Sequence, residues 1–343
     1  MSKNYYIIPI FISHQGCPHQ CVFCNQDRIA GKVEEVFASD VKNTIEEYLN
    51  TINTIGSTIE VSFFGGTFTA ISVAKQKELL EVAREYKNKG LIHKIRLSTR
   101  PDAINSYILD YLKEYSVDII ELGVQSLNDE VLQKAGRGHS VEDVIKASKL
   151  IKEYGFVLGH QIMPGLPSDN FEIDIETTKK SIEMKPDICR IYPALVIKDT
   201  PMEIMYTRGE YRPYTLEEAV YISSEMLKLY NKAKVKVIRI GLQPTDTITT
   251  GKDIVDGPFH PAFRELVEGF SLCNILKEKV SSEKDILIEM NERDISKLYA
   301  NKKQYFNDFS KNRDGKVFVN VNKKVKRGKI RLTVIESKEE FKI

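Results

Sequence analysis

Six short apolar runs alternate with helical patterns over residues 5–232, and this alternation constrains the fold more than any other feature. The candidate strands are 5–12, 59–64, 93–98, 118–123, 156–163 and 187–192, and the candidate helices are 40–54, 73–88, 104–115, 141–154, 171–184 and 215–232. Short β-rich runs separated by amphipathic helices are typical of βα units around a parallel sheet. The pattern predicts an α/β fold, a partial (β/α)6 TIM-like barrel.

The remaining third of the chain is patterned differently. Residues 236–242 are a candidate further strand, residues 260–295 have a helical pattern, and residues 316–336 alternate like a β-hairpin with its turn near Arg327 and Gly328. We therefore expect a core domain over residues 1–245. A small C-terminal α+β extension with a basic β-hairpin is expected over residues 246–343.

Composition excludes several classes of protein. With 343 residues, 42% hydrophobic content and a net charge of +2, the chain has no overall charge excess that would indicate a nucleic-acid or membrane partner. The apolar stretch near the N-terminus is too short to span a bilayer and has no signal-peptide cleavage site, so a cytoplasmic protein is expected. Charge is nevertheless uneven, because residues 301–343 hold 13 Lys and Arg against 5 Asp and Glu.

Five unusual loops each follow a candidate strand. A cysteine-rich segment follows the first strand, and the sequences GGTF, TRPD, VQS and PGLP follow the second to the fifth. In parallel barrels the loops at the carboxyl ends of the strands meet on one rim and carry the chemistry. The functional site is therefore expected on that rim.

Three of the five cysteines, Cys17, Cys21 and Cys24, are spaced C-x-x-x-C-x-x-C. In a reducing compartment such a cluster indicates a metal or redox site rather than a disulfide. Three thiolates can hold a cubane iron–sulfur cluster with one sulfur ligand per iron, which leaves the fourth iron open. The alternative is a structural zinc site, for which His14 or His19 would supply the fourth ligand.

The cysteine segment, with Phe23 before the last cysteine, resembles the radical S-adenosylmethionine superfamily. This resemblance implies a [4Fe-4S] cluster on the three cysteines and S-adenosylmethionine on the open iron. It also implies reductive cleavage of S-adenosylmethionine, hydrogen abstraction from a substrate by the resulting radical, and an electron donor such as flavodoxin or ferredoxin. Phe23 then belongs to the cofactor-binding residues.

The resemblance extends to the loop after the second strand. In the radical enzymes this position contacts the amino group of S-adenosylmethionine, which implies that role for Gly65, Gly66 and Thr67. Taken alone, the two glycines indicate only a turn with close backbone approach.

Residues 121–139 resemble the coproporphyrinogen dehydrogenase branch of the superfamily. The resemblance implies that Gln125 holds the ribose hydroxyls of S-adenosylmethionine and that Arg137 holds its carboxylate, a group that guanidinium binds well. Gln161 would lie near the ribose, although that branch usually has an acidic residue there. On residue type alone, Gln125 is equally a turn residue and Arg137 a solvated charge.

Residues 98–104, 160–174 and 191–220 resemble the radical domain of the Elongator catalytic subunit, which begins carboxymethylation of the wobble uridine in tRNA. The match runs from about residue 5 to about residue 222 and implies that Arg100, Tyr192 and Lys198 face the active-site cavity as catalytic residues. The alternatives are a loop salt bridge between Arg100 and Asp102, and packing of Tyr192 in the barrel.

The resemblance does not cover the whole Elongator subunit. We expect no leading tRNA-binding segment and no acetyltransferase domain here, so the acetyl-CoA-dependent reaction does not carry over. The basic tail is a candidate RNA contact, although lysines also protect exposed sheet edges. Its cations are Lys323, Lys324, Lys326, Arg327, Lys329 and Arg331.

Three hypotheses for the function follow. The first is radical chemistry on RNA, most plausibly tRNA modification. The second is the same chemistry on a small-molecule metabolite. The third is an iron–sulfur or zinc protein without catalysis, against which the additional cofactor motifs on the same rim argue.

Overall fold

The structure, a computed structural model, describes residues 5–12, 17, 19–25, 35–243, 248–249 and 251–335. Seven parallel strands form one sheet in the order β1-β2-β3-β4-β5-β6-β8. They are β1 (Tyr5–Ile12), β2 (Thr58–Gly65), β3 (Lys94–Thr99), β4 (Ile119–Gln125), β5 (Val157–Ile162), β6 (Ile188–Ile191) and β8 (Lys236–Ile240). Within the described ranges no pairing joins β1 to β8, so the sheet is a curled half-barrel. The predicted partial TIM-like α/β fold is confirmed, with the further strand at 236–240 as its seventh member.

Helices alternate with these strands. They are α1 (Ala38–Thr51), α2 (Val73–Asn88), α3 (Ser106–Glu114), α4 (Asp129–Lys134), α5 (Val141–Glu153), α6 (Phe171–Glu183), α7 (Pro201–Thr207) and α8 (Leu216–Lys232). Most begin at a side chain that accepts a hydrogen bond from a free backbone N–H of the first turn, as helix N-termini require. These caps are Ser72, Asn105, Asn128, Ser140, Asn170, Thr200 and Thr215.

The strands carry different side chains on their two faces. In β2, Ile59, Val61 and Phe63 are buried in the main apolar core, whereas Glu60 and Ser62 alternate with them on the other face. Successive side chains of a strand point to opposite faces, so the polar set lines the inside of the half-barrel. The apolar face of the sheet packs against the helices, and the concave face carries the polar side chains.

The C-terminal sheet differs from the expected hairpin. Strand β10 (Asp285–Met290) lies in the centre, parallel to β11 (Val317–Val321) and antiparallel to β12 (Ile330–Ile335). The prediction of a β-hairpin over 316–336 is therefore wrong, because both strands pair with β10 instead of with each other. Alternation identified the strands, but it carries no information about which edge each strand joins.

The predicted helix over 260–295 is also partly wrong. Helix α9 (Phe263–Lys279) ends before β10, whose residues Ile286, Ile288 and Met290 alternate with polar residues at the period of a strand. The short helices α10 (Ile295–Leu298) and α11 (Gln304–Lys311) connect β10 to β11. This crossover allows the parallel pairing of β10 with β11.

Helix α9 links the barrel to the C-terminal sheet. Its first turns place Phe263, Leu266 and Val267 in the main core, and its later residues Cys273 and Leu276 in the C-terminal core. A separate small antiparallel sheet pairs β7 (Val196–Ile197) with β9 (Ile254–Asp256), the strand that precedes α9. The domain boundary at 245/246 stays a prediction. None of the helices in the described part of the chain is long and apolar enough to cross a membrane.

Candidate functional site

The loops singled out in the sequence leave from one rim of the half-barrel. Gly65 ends β2, Arg100 follows β3, Gln125 ends β4 and Tyr192 follows β6. The neighbouring strands pair in parallel up to these ends, so their loops lie side by side. The loops that carry these residues therefore lie on the rim where the site is expected.

Two of the three clustered thiols contact residues predicted to bind the cofactor. Cys17 Sγ lies 3.3 Å from Thr67 Oγ1, and Arg137 Nη1 donates a hydrogen bond to Cys21 Sγ at 3.2 Å. Cys21 is buried, Cys24 is half-buried and Cys17 is exposed. The structure therefore brings the cysteine segment against the glycine loop and against Arg137.

The described residues contain no group of three His, Cys, Asp or Glu side chains arranged to hold a metal ion. Cys17, Cys21 and Cys24 stay predicted ligands. Of the two histidines considered for zinc, His14 lies outside the described residues. The ring of His19 packs on Gly138, where an added Cβ would come within 2.4 Å of it.

The main chain of the cysteine segment is fixed from two sides. Val22 N donates to the carbonyl of Ala135 at 3.0 Å, and Met202 N donates to the carbonyl of Val22 at 2.9 Å. Phe23 is buried in an apolar cluster that includes Val131 and Met202. Phe23 thus anchors the segment, and the contact with the cofactor predicted for it stays a prediction.

Gly65 and Gly66 form a tight turn against the end of β1. Gly66 N donates to the carbonyl of Ile12 at 2.6 Å. Gly65 has a φ of +105°, and a Cβ there would lie 2.9 Å from the same carbonyl oxygen, so only glycine fits. Thr67 is 1% exposed and directs its hydroxyl at Cys17.

Gln125 and Arg137 converge above Gly123. Arg137 Nη2 donates to the carbonyl of Gly123 at 2.7 Å. A Cβ on Gly123 would lie 3.1 Å from Gln125 Nε2 and 3.2 Å from Arg137 Nη2, so the glycine makes room for both side chains. Gln125 is buried with φ +66°, a conformation that costs a non-glycine residue about 1 kcal/mol or more.

These two side chains also leave polar atoms unused. Gln125 Oε1 and Arg137 Nε are buried without a hydrogen-bond partner among the described residues. Native structures rarely leave such groups unsatisfied. Gln125 Oε1 is an acceptor that suits the ribose hydroxyls of S-adenosylmethionine. The Arg137 guanidinium, beside the Cys21 thiol, suits the carboxylate at its amino-acid end.

Arg100 supports Arg137. Its Nε and Nη2 donate to Asp102 at 2.9 and 3.0 Å, and Nη2 also donates to the backbone carbonyl of Arg137. The ion pair considered for Arg100 and Asp102 is therefore present, and the catalytic role of Arg100 stays a prediction. Burial, together with the neighbouring Arg137 and Arg100, lowers the pKa of His139 to about 4, so its ring is neutral at pH 7.

Tyr192, Lys198 and Gln161 are half-buried. The Tyr192 hydroxyl accepts a hydrogen bond from Arg190 Nη1 at 3.0 Å. The backbone carbonyl of Lys198 accepts from the side chain of Asn25, which brings Lys198 beside the cysteine segment at 3.3 Å. Gln161 pairs in register with Gly123 on β4. Their roles toward cofactor or substrate stay predictions.

Sequence reasoning missed a buried ion network on the inner face of the barrel. It comprises Glu60, Arg96, Glu121 and Arg190, each at most 8% exposed. The sequence carries a signal for this network, because each of the four residues lies within a candidate strand, between apolar neighbours.

Comparison with known proteins identifies the family. The family model "Radical SAM superfamily" matches residues 11–180, and the model "Radical_SAM C-terminal domain" matches residues 186–270. The tRNA uridine(34) acetyltransferase of Methanocaldococcus infernus is 31% identical over 300 residues, which cover 76% of this chain and 55% of that protein. The uncharacterized protein MJ0486 of Methanocaldococcus jannaschii is 36% identical over 227 residues, covering 63% of this chain and 68% of that protein.

A solved structure agrees with these matches. The archaeal Methanocaldococcus infernus Elp3 with an N-terminal deletion superimposes with a TM-score of 0.63 and 27% identity, covering 81% of this chain and 65% of that chain. The chain spans about half the length of the tRNA uridine(34) acetyltransferases it matches. It belongs to the radical S-adenosylmethionine superfamily and is an enzyme of that superfamily related to the Elongator catalytic subunit.

Proposed function

We propose that this enzyme holds a [4Fe-4S] cluster on Cys17, Cys21 and Cys24, binds S-adenosylmethionine beside it, and modifies RNA, with tRNA as the substrate class. The observation that carries the cofactor part is the position of Arg137, which contacts Cys21 and lies with Gln125 above Gly123. The substrate part is supported by the relatives named as tRNA uridine(34) acetyltransferases.

The bound cluster and S-adenosylmethionine together supply a radical that removes hydrogen from the substrate. The protein's own residues prepare the site for them. Arg137 places its guanidinium within hydrogen-bond distance of the sulfur of Cys21, one of the proposed iron ligands. Arg100 fixes the main chain of Arg137, and the Gly65–Thr67 turn and Gln161 complete the proposed contacts with S-adenosylmethionine. Flavodoxin or ferredoxin is the proposed electron donor.

The C-terminal extension offers a proposed contact for RNA. The connection between β11 and β12, residues 322–329, carries exposed Lys324, Lys326, Arg327 and Lys329. Among the described residues no carboxylate is paired with these four cations, whereas Lys323 lies 3.5 Å from Glu292. Unpaired cations are available for phosphate groups.

This basic connection has a fixed shape. Val325 is buried within it, and its carbonyl accepts from Asn291 Nδ2 at 3.0 Å. Gly328 N donates to the buried Asp294 at 2.8 Å. An ordered loop loses less conformational entropy on binding than a mobile one. This favours a phosphate contact over simple protection of a sheet edge.

The first experiment tests the chemistry. The protein is reconstituted anaerobically with iron and sulfide and given dithionite, S-adenosylmethionine and tRNA from cells that lack the gene. We expect 5′-deoxyadenosine to form and tRNA to accelerate it. If the protein carries a full cluster but forms no 5′-deoxyadenosine under these conditions, the proposed radical chemistry is wrong.

The second experiment tests the substrate and its contact. Nucleosides of tRNA from cells with and without the gene are compared by mass spectrometry, and an unchanged profile argues against tRNA. The double variant Lys326→Glu/Arg327→Glu should weaken tRNA binding at least tenfold and lower its salt dependence. The matched control is Lys146→Glu/Lys149→Glu on α5, whose lysines are 70% and 77% exposed.

A further inference from the structure

The inner face of the half-barrel carries a continuous ion network. Arg96 Nη2 donates to Glu60 at 2.9 Å, and Arg96 Nη1 donates to Glu121 at 2.7 Å. Arg190 Nε donates to the same oxygen of Glu121 at 2.9 Å. The network crosses β2, β3, β4 and β6. Its two carboxylates balance its two guanidinium groups.

Strand β5 contributes no charge but gives the network space. Gly159 pairs in register with Glu121, and a Cβ on Gly159 would lie 2.7 Å from Glu121 Cγ. The absence of a side chain on Gly159 lets Glu121 lie inside the barrel. Buried ion networks are often no more stabilising than apolar packing, so stability alone does not account for this one.

The network ends at Tyr192. Arg190 Nη1 donates to the Tyr192 hydroxyl at 3.0 Å, and the Arg190 guanidinium lies 5.3 Å from the centre of the Phe64 ring on β2. Phe64 directly precedes Gly65 of the glycine turn. The Tyr192 hydroxyl is therefore held inside the barrel, close to the rim.

Guanidinium has no acceptor atom, so the hydroxyl oxygen of Tyr192 accepts this bond and its own proton remains available for donation. Because the four charges of the network cancel, its charges do not select an anionic partner. The geometry suits a neutral hydrogen-bond acceptor.

We infer that Arg190 is a positioning residue: anchored by Glu121, it fixes the Tyr192 hydroxyl as a hydrogen-bond donor toward the substrate, to a carbonyl oxygen of a nucleobase. The choice of a nucleobase as the hydrogen-bond acceptor rests on the proposed function. The positioning of Tyr192 by Arg190 rests on the contacts alone.

The activity test is a double-mutant cycle with Tyr192→Phe, Arg190→Lys and the double variant. Lysine keeps the charge that Glu121 requires but has a single nitrogen, whereas Arg190 uses two, Nε for Glu121 and Nη1 for Tyr192, to hold both partners at fixed positions. With the tRNA described above, each single variant should lower kcat/KM for 5′-deoxyadenosine formation about tenfold, and the double variant should be no worse than Tyr192→Phe. The affinity for S-adenosylmethionine should stay within twofold of wild type.

The control is Arg239→Lys, since Arg239 pairs in register with Arg190 but donates its side-chain bond to Gln243 at 2.8 Å. The kcat/KM of Arg239→Lys for 5′-deoxyadenosine formation should equal that of wild type. Additive losses in the double variant, or wild-type activity of Arg190→Lys, overturn the inference.

A second measurement needs no RNA. With 3-fluorotyrosine at position 192, Arg190→Lys should shift or split the fluorine resonance and Arg239→Lys should not. An unchanged resonance in Arg190→Lys overturns the inference. If 5′-deoxyadenosine formation by the wild-type enzyme does not depend on tRNA, the proposed substrate is wrong. The fluorine measurement still tests whether Arg190 positions Tyr192.

Discussion

Replacing Arg137 with lysine should weaken binding of S-adenosylmethionine while the cluster still loads. Arg137 is 6% exposed, and its guanidinium donates to the Gly123 carbonyl at 2.7 Å and to Cys21 Sγ at 3.2 Å. A lysine ammonium keeps the charge but cannot hold both partners and a ligand carboxylate in one plane. A hydrogen bond to a charged group contributes about 1.5–3 kcal/mol, which corresponds to about a 10- to 150-fold loss of affinity.

The assay is anaerobic equilibrium dialysis of reconstituted protein against S-adenosylmethionine, with iron and sulfide counted in the same samples. Iron content should match wild type because all three cysteines remain. The matched control is Arg212→Lys, which removes an exposed two-bond pair with Glu218, at 2.9 and 3.1 Å, away from the rim. Arg212→Lys should bind S-adenosylmethionine normally.

Arg137 does not bind S-adenosylmethionine if Arg137→Lys is folded, carries its cluster and binds S-adenosylmethionine with wild-type affinity. Arg137 would then serve only to join β4 to the cysteine segment. A loss of both cluster and fold would point to the same structural role. Circular dichroism of the apoprotein separates that outcome from a selective loss of affinity.

Three further predictions concern ligands, pH and backbone. Cys21→Ala should lose most of its iron on reconstitution, whereas Cys273→Ala, in the buried C-terminal core, should keep it; equal iron in both refutes the ligand assignment. Burial raises the pKa of Asp169 to about 6, and burial together with the Asp169 carboxylate raises the pKa of Asp174 well above its usual range, so the folded state holds protons on this pair more tightly than the unfolded state. The free energy of unfolding should therefore fall as the pH rises from about 4 to about 6, and Asp169→Asn should reduce that fall in urea titrations. Gly65→Ala should destabilise by about 1–3 kcal/mol more than Gly90→Ala, which also has positive φ but meets no atom within 4 Å; equal unfolding midpoints would disprove the clash.

The barrel was predictable because its signals are local. Apolar runs and helix patterns located six strands and six helices to within a few residues, and side chains such as Ser140 and Thr215 begin helices where the sequence indicated. The rim position of the motifs follows from parallel topology alone.

The pairing of strands and the partners of buried side chains were harder to predict from the sequence. The hairpin prediction failed because β10 inserts between β11 and β12, and only tertiary packing against α9 decides that arrangement. The pair of Arg100 with Asp102 is local and was one of the alternatives that the sequence offered, whereas the bond of Arg100 to the Arg137 carbonyl depends on the distance between two loops. The charged network inside the barrel had a sequence signal, since charge within an apolar strand requires a partner.

Gln125 has a strained backbone at a position that is proposed to bind S-adenosylmethionine. Gly123 lies just before it, and the register of β4 with β5 shifts between the two residues. A glycine at position 125 would adopt φ +66° without the steric cost of about 1 kcal/mol that glutamine bears, but it would lack the amide that is proposed to bind S-adenosylmethionine. Engineering for stability should therefore hold Gln125 fixed, although its φ marks it as a strained position.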